Sequence, residues 1–65
     1  MSQEKEPLKK WVHDLNNRIG IILATAELLQ LDQLPPKSAE RSRDLEREAL
    51  AARDLLRQIA ECYLE

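Results

Sequence analysis

Apolar residues recur through the first half of the chain at Leu8, Val12, Leu15, Ile19, Ile22, Ala26 and Leu29, in steps of 4, 3, 4, 3, 4 and 3. That rhythm is a heptad seam along one face of a helix. A second series, Leu45, Ala49, Ala52, Leu56, Ile59 and Tyr63, steps 4, 3, 4, 3 and 4. Between the two lies Asp32-Gln33-Leu34-Pro35-Pro36, where a pair of prolines removes backbone donors and turns the preceding residue away from helical geometry. The pattern predicts a first helix over about residues 6–31, a turn at about 32–35 and a second helix over about 36–64.

The ends of these elements carry their own signals. Met1 to Lys5 has no apolar period and is expected to fray, while Glu6-Pro7 offers a helix start, with Pro tolerated in a first turn and acid favoured at the positive end of the dipole. Pro36 suits the first position of the second helix, and Ser38 is a competing cap. Gly20, the only glycine, sits inside the first helix, where it costs up to about 1 kcal/mol against Ala. Upstream of Leu45 the seam positions are Ser38 and Ser42, so the turn end is expected to be the looser one.

Two long helices joined by a short turn make an antiparallel hairpin. The fold class expected is therefore all-α. Each helix also carries apolar residues outside its seam, Trp11 and Leu23 on the first and Leu50, Leu55, Ala60 and Leu64 on the second, so the apolar stripe is wider than a two-stranded coiled coil needs. A homodimeric four-helix bundle with two-fold symmetry would close it. A single hairpin sunk into another protein is the alternative.

Composition narrows the classes. Sixty-five residues hold one domain and bury too little surface to be comfortable alone; 43% hydrophobic and 34% charged residues with one Gly and no Phe fit long helices. The net charge of −2, with no basic patch interleaved with aromatics, gives no reason to expect nucleic acid. Cys62 is alone, so neither an intrachain disulfide nor a metal site is expected, and a reducing, cytoplasmic setting is the simplest. No apolar run approaches the ~20 residues of a membrane span, and the first residues are polar with no signal-peptide core.

The chemistry gathers around the single histidine. With Val12, Ile19 and Ala26 at a and Leu8, Leu15, Ile22 and Leu29 at d, His13 falls at b, Asp14 at c and Asn17 at f, all turned from the seam. Residues four apart stack on one helix face, so imidazole and amide share a surface with the carboxylate beside them. A lone surface histidine is ordinarily just solvated. The other reading is a phosphoryl acceptor, since an imidazole offers a neutral nitrogen nucleophile near neutral pH and Asp14 is placed to hold the ring or accept its proton.

His13-Asp14-Leu15-Asn16-Asn17, running into an apolar helix that ends Ala26-Glu27-Leu28-Leu29, resembles the phosphoacceptor box of two-component sensor histidine kinases. The resemblance extends over the Leu34-Pro35-Pro36 turn and the second helix, where it is only a matter of helical pattern. It implies a dimerisation and histidine phosphotransfer domain in which His13 carries the phosphoryl group, Asp14 acts as base and Asn17 orients water for dephosphorylation of a partner regulator. Two positions depart from the commonest family pattern: Asn16 stands where Lys or Arg is frequent, and Arg18 where Pro is frequent. Without that proline the helix has no kink below the histidine, and Arg18 reads more simply as a salt-bridging residue.

On the same outward side follow Gly20, Ile21, Ala24 and Leu28, where a purely solvated helix would carry polar residues. They form a shallow strip suited to a partner's helix, by resemblance a response-regulator receiver domain; the other reading is that a broad-faced bundle buries Ile21 and Leu28 itself. Trp11 is expected to pack at the bundle rim, Glu27 to be solvated, Cys62 to be a packed thiol, and acid–base pairs such as Glu40 with Arg43 or Asp44 with Arg47 to be ordinary helix-surface pairs.

The sequence holds no glycine-rich ATP lid and no Asp-x-Gly-x-Gly, so no autonomous kinase activity is expected. No cofactor is expected in this chain; ATP and Mg would act only through a separate kinase ATP-binding domain, in cis or in trans. The partners expected are a second copy, a receiver domain and that kinase domain. The rival is a non-catalytic helical dimerisation or adaptor protein with the same fold.

Overall fold

The structure, a computed structural model, describes residues 2–64, with side chains from Glu6 to Leu64. Two helices account for nearly all of it: α1, Ser2–Leu31, and α2, Pro36–Tyr63, folded against one another as an antiparallel hairpin with extents of 51 × 15 × 12 Å. Of the stretch expected to fray, Met1 lies outside the described residues and Ser2–Lys5 is helical, so α1 starts earlier than Glu6-Pro7 suggests. Gln, Glu and Lys are good helix formers, and acidic residues are favoured near the positive end of the dipole. Together these outweigh Pro7, which forfeits one backbone bond near the start of the helix.

Leu31 ends α1 at the turn. The Asp32 N–H donates to the Leu29 carbonyl at 3.1 Å and the Leu34 N–H to the Asp32 carbonyl at 2.8 Å, which folds the chain back within a few residues. Pro35 is extended (φ −56°, ψ 154°), caps α2 with no side-chain hydrogen bond, and accepts from the Ala39 N–H at 2.9 Å. Pro36 then takes the first helical position, which spares an N–H that would have no partner there. Ser38 is inside the helix rather than its cap.

The inward face of α1 is Val12, Ile19, Leu23, Ala26 and Gln30, and that of α2 is Ser42, Ala49, Leu56 and Ala60. Ile19, Ala49 and Leu56 form the core, with Val12, Leu23 and Ala52 packed on it. This seam is offset by one position from the one the sequence rhythm predicts. Leu15 and Ile22 (50% and 48% exposed), and likewise Leu45, Ile59 and Tyr63, stand outside it. The physical reason is the width of the stripe: one helix–helix contact covers only its edge, and the hairpin takes the edge that includes Leu23 and Gln30.

The seam that forms fixes a new heptad frame, with Val12, Ile19 and Ala26 at d and Leu23 and Gln30 at a on α1, and Ser42, Ala49 and Leu56 at d on α2. In an antiparallel pair, positions of the same letter flank the seam on the same side. Leu15, Ile22 and Leu29 therefore share one flank with Leu45, Ala52 and Ile59, whereas His13 and Gly20 share the opposite flank with Arg57 and Leu64.

The turn end is not the looser one. Ala26 is 1% exposed and Ser42 2%, the most buried residues among those described. Small side chains let the backbones approach, and the Ser42 hydroxyl is satisfied by donating to the Ala39 carbonyl at 2.8 Å. Beside them Gln30 Nε2 donates to Glu46 Oε1 at 2.8 Å, a polar link across the seam.

Two substitutions test this packing by denaturation at one fixed protein concentration. Ile19→Ala is expected to destabilise by about 2–4 kcal/mol through the cavity it leaves beside Ala49 and Leu56. Gly20→Ala is expected to stabilise by about 0.5–1 kcal/mol, because a Cβ at that position would meet nothing within 4 Å.

Candidate functional site

Val12 packs against α2, and the next residue of a helix is turned by about 100° from it. His13 therefore stands at the edge of the hairpin, its side chain exposed. The structure thus corrects its register from b to e: it borders the groove between the helices instead of facing wholly away from them. One turn on, Asn17 Nδ2 lies 3.5 Å from His13 Nε2, at the long limit of a hydrogen bond. If the amide donates there, Nε2 is the acceptor and the ring proton resides on Nδ1. Of the sequence-predicted trio, imidazole and amide are brought together.

Asp14 is exposed and joined to His13 by no hydrogen bond among the described residues. It lines a shallow hollow of about 340 Å³ with Asn17, Arg18 and Ile21 instead. Arg18 enters no ion pair among those of the described residues, so the salt bridge expected of it is not seen among them.

The predicted strip runs along the same outer face. Gly20 is half-buried and Ala24 exposed, while Ile21 and Leu28 are 61% and 63% exposed. At about 100° per residue, the last two lie about 180–200° round α1 from Ile19. Within the hairpin α2 does not cover that side. Below Ile21 the backbone is tied by the Thr25 hydroxyl, which donates to the Ile21 carbonyl at 2.8 Å and so competes for a helix carbonyl.

A feature missed in the sequence lies on the other side of the imidazole. A groove of about 430 Å³ between the helices has His13, Lys9 and Asn16 on one wall, Arg53 and Arg57 on the other, and Leu56 and Ala60 among its apolar lining. No acid among the described residues lines it. The arginines are ordinary surface charges when α2 is read alone; they converge on the histidine only once the antiparallel register and the e-to-e flank are fixed.

The surrounding charges are modest. Asp44 and Arg47 pair as expected, at 3.1 Å, and Asp54 pairs with Arg57 at 3.2 Å, both exposed i,i+3 contacts; Glu40 and Arg43 are not among the ion pairs of the described residues. Cys62 is exposed, not packed, since it falls outside the seam that actually forms. Trp11 is likewise exposed in the single hairpin, and Glu27 is solvated. No group of three metal-ligating side chains exists among the described residues, and no described helix is long and apolar enough to cross a membrane.

Chemically, the site offers an open nitrogen nucleophile with an amide donor one turn away, a carboxylate next in sequence and cations across a groove. Comparison with protein families, with curated proteins and with solved structures finds no match for this chain.

Proposed function

We propose that the chain is a dimerisation and phosphotransfer module of the two-component type, with His13 as phosphoacceptor and a receiver domain as its exchange partner. The observation that carries this reading is the exposed His13 imidazole with the Asn17 amide at 3.5 Å from Nε2, set above an apolar strip that the rest of the chain leaves uncovered. In the transfer step, a ring nitrogen attacks phosphorus, the donor's bond to that phosphorus breaks, and the proton on the other ring nitrogen leaves to a base. Asp14 is the acid nearest in sequence for that role, and Asn17 is one turn away to hold a water for the reverse, hydrolytic chemistry. ATP and Mg enter only through a separate kinase domain. Gly20, Ile21, Ala24 and Leu28 would receive the receiver's helix.

The reading includes a homodimeric four-helix bundle. A compact monomer of 7.5 kDa is expected to expose about 4,200 Å². The chain exposes 5476 Å², roughly 1,200 Å² more. A standard interface removes about 800 Å² from each partner. The excess is of the right size, and the apolar flank of Leu15, Ile22, Leu45 and Ile59 supplies the second seam. A second copy placed there leaves His13 and the outer strip open.

One observation favours the rival adaptor reading: Asp14 makes no hydrogen bond to the imidazole. Labelling with phosphoramidate, or with a kinase and labelled ATP, separates the two. Phosphotransfer predicts acid-labile, base-stable label that is lost in His13→Gln; no label from any donor leaves the adaptor. For the dimer, sedimentation should give twice the chain mass at micromolar concentration. Ile22→Glu, which would bury an unpaired carboxylate costing several kcal/mol, should weaken association at least about a hundredfold. A wild-type chain that sediments as a monomer removes the bundle.

A further inference from the structure

We infer that the inter-helical groove beside His13 is an anion site that seats the charge of the phosphoryl group, with Arg53 and Arg57 of α2 as positioning residues. The inference rests on the reading of His13 as phosphoacceptor, and deepens it by assigning part of the work to the second helix. The chain as a whole is net acidic, at −2, yet this groove gathers Lys9, Arg53 and Arg57 with no carboxylate in its lining among the described residues. His13 forms part of its wall, and the volume of about 430 Å³ is ample for a phosphate.

The cations are available. Among the described residues neither Lys9 nor Arg53 enters an ion pair. Arg57 meets Asp54 at 3.2 Å through one of its nitrogens, on side chains more than 60% exposed, and a guanidinium keeps further N–H donors for a second oxyanion. Arg53 is half-buried, so its charge acts in a less screened setting than a fully solvated one. The groove also lies on the flank of the hairpin opposite Leu15, Ile22 and Ile59, so a second copy on that apolar flank leaves it open. An anion arriving there would meet the imidazole from the side away from the outer strip.

Two measurements test this on the full chain. First, inorganic phosphate is titrated at constant ionic strength while the His13 ring resonances are followed. The wild type should shift saturably; Arg53→Gln/Arg57→Gln should weaken the apparent affinity about tenfold, from roughly threefold per partly exposed ionic contact. The charge-matched control Arg41→Gln/Arg47→Gln should not, and Arg53→Lys/Arg57→Lys should recover much of the binding. Second, the rate of His13 labelling by phosphoramidate is measured for the same proteins. There the P–N bond of the donor breaks, a P–N bond to the ring forms, and ammonia departs with the ring proton as ammonium. The same order of rates is expected.

Helical content by circular dichroism confirms that each variant is folded; should the double variant not fold, Arg57→Gln alone, at an exposed position, carries the test with a threefold effect. A wild-type ring insensitive to phosphate, or glutamine variants that bind and label as the wild type does, overturns the groove while leaving His13 labelling intact. Phosphate binding without labelling overturns the phosphoacceptor reading and, with it, the groove as a phosphoryl seat, leaving an anion site alone.

Discussion

The structure depends on a mismatch between the width of an apolar stripe and the reach of one helix–helix contact. Two antiparallel helices bury a seam only about two side chains wide. The stripe on α1 extends from Leu23 and Gln30 on one edge, through Ile19 and Ala26, to Leu15 and Ile22 on the other. Ile19, Leu56 and Ala49 draw the hairpin closed along one edge, and Leu15, Ile22, Leu45 and Ile59 on the far edge are left exposed. The rod-like shape, the exposed surface in excess of a compact chain's and the open apolar flank all follow from this one geometric shortfall.

Within the seam, side-chain size varies along the rod. Near the turn the contact is made by Ala26 and Ser42, with the Gln30–Glu46 hydrogen bond beside them; towards the other end it is made by Ile19, Leu56 and Val12. Small residues draw the helix backbones together, and large ones hold them apart. The groove beside His13 belongs to the end with the larger core residues, where Leu56 and Ala60 lie between its walls. The polar link sits beside the small residues, with both of its partners only half-buried.

Much of this was legible in the residues. The 4, 3 rhythm and the Pro35-Pro36 break mark two helices and a turn, and the structure ends α1 at Leu31 and starts α2 at Pro36. That His13, Asp14 and Asn17 lie on the surface followed from the same rhythm. The phase of the seam did not, because a stripe with apolar residues at Leu15, Ile19, Ile22 and Leu23 fits more than one heptad frame, and only the partner helix selects among them. Three discrepancies descend from that choice: Cys62 exposed, His13 moved to the groove's edge, Arg53 and Arg57 brought into its company. Ser42 misled differently, since a hydroxyl reads as a loose position until its bond to the Ala39 carbonyl is seen to satisfy it.

The shift of His13 by one seam position changes what its two sides meet. In a frame that turned it squarely outward, the ring would have water on both flanks and a single direction of approach. At the edge of the hairpin it separates two unlike surfaces, the outer face with Asn17, Ile21 and Leu28, and the groove with its cations from α2. Under the proposed function that division is useful for a simple electrostatic reason. A visiting acidic active site and a phosphoryl dianion repel one another, and a nucleophile standing between a neutral, apolar docking strip and a cationic hollow keeps the protein partner and the bulk of the negative charge on opposite sides of the ring. A histidine in the middle of the outer face, with the same neighbours in sequence, would bring both onto one surface.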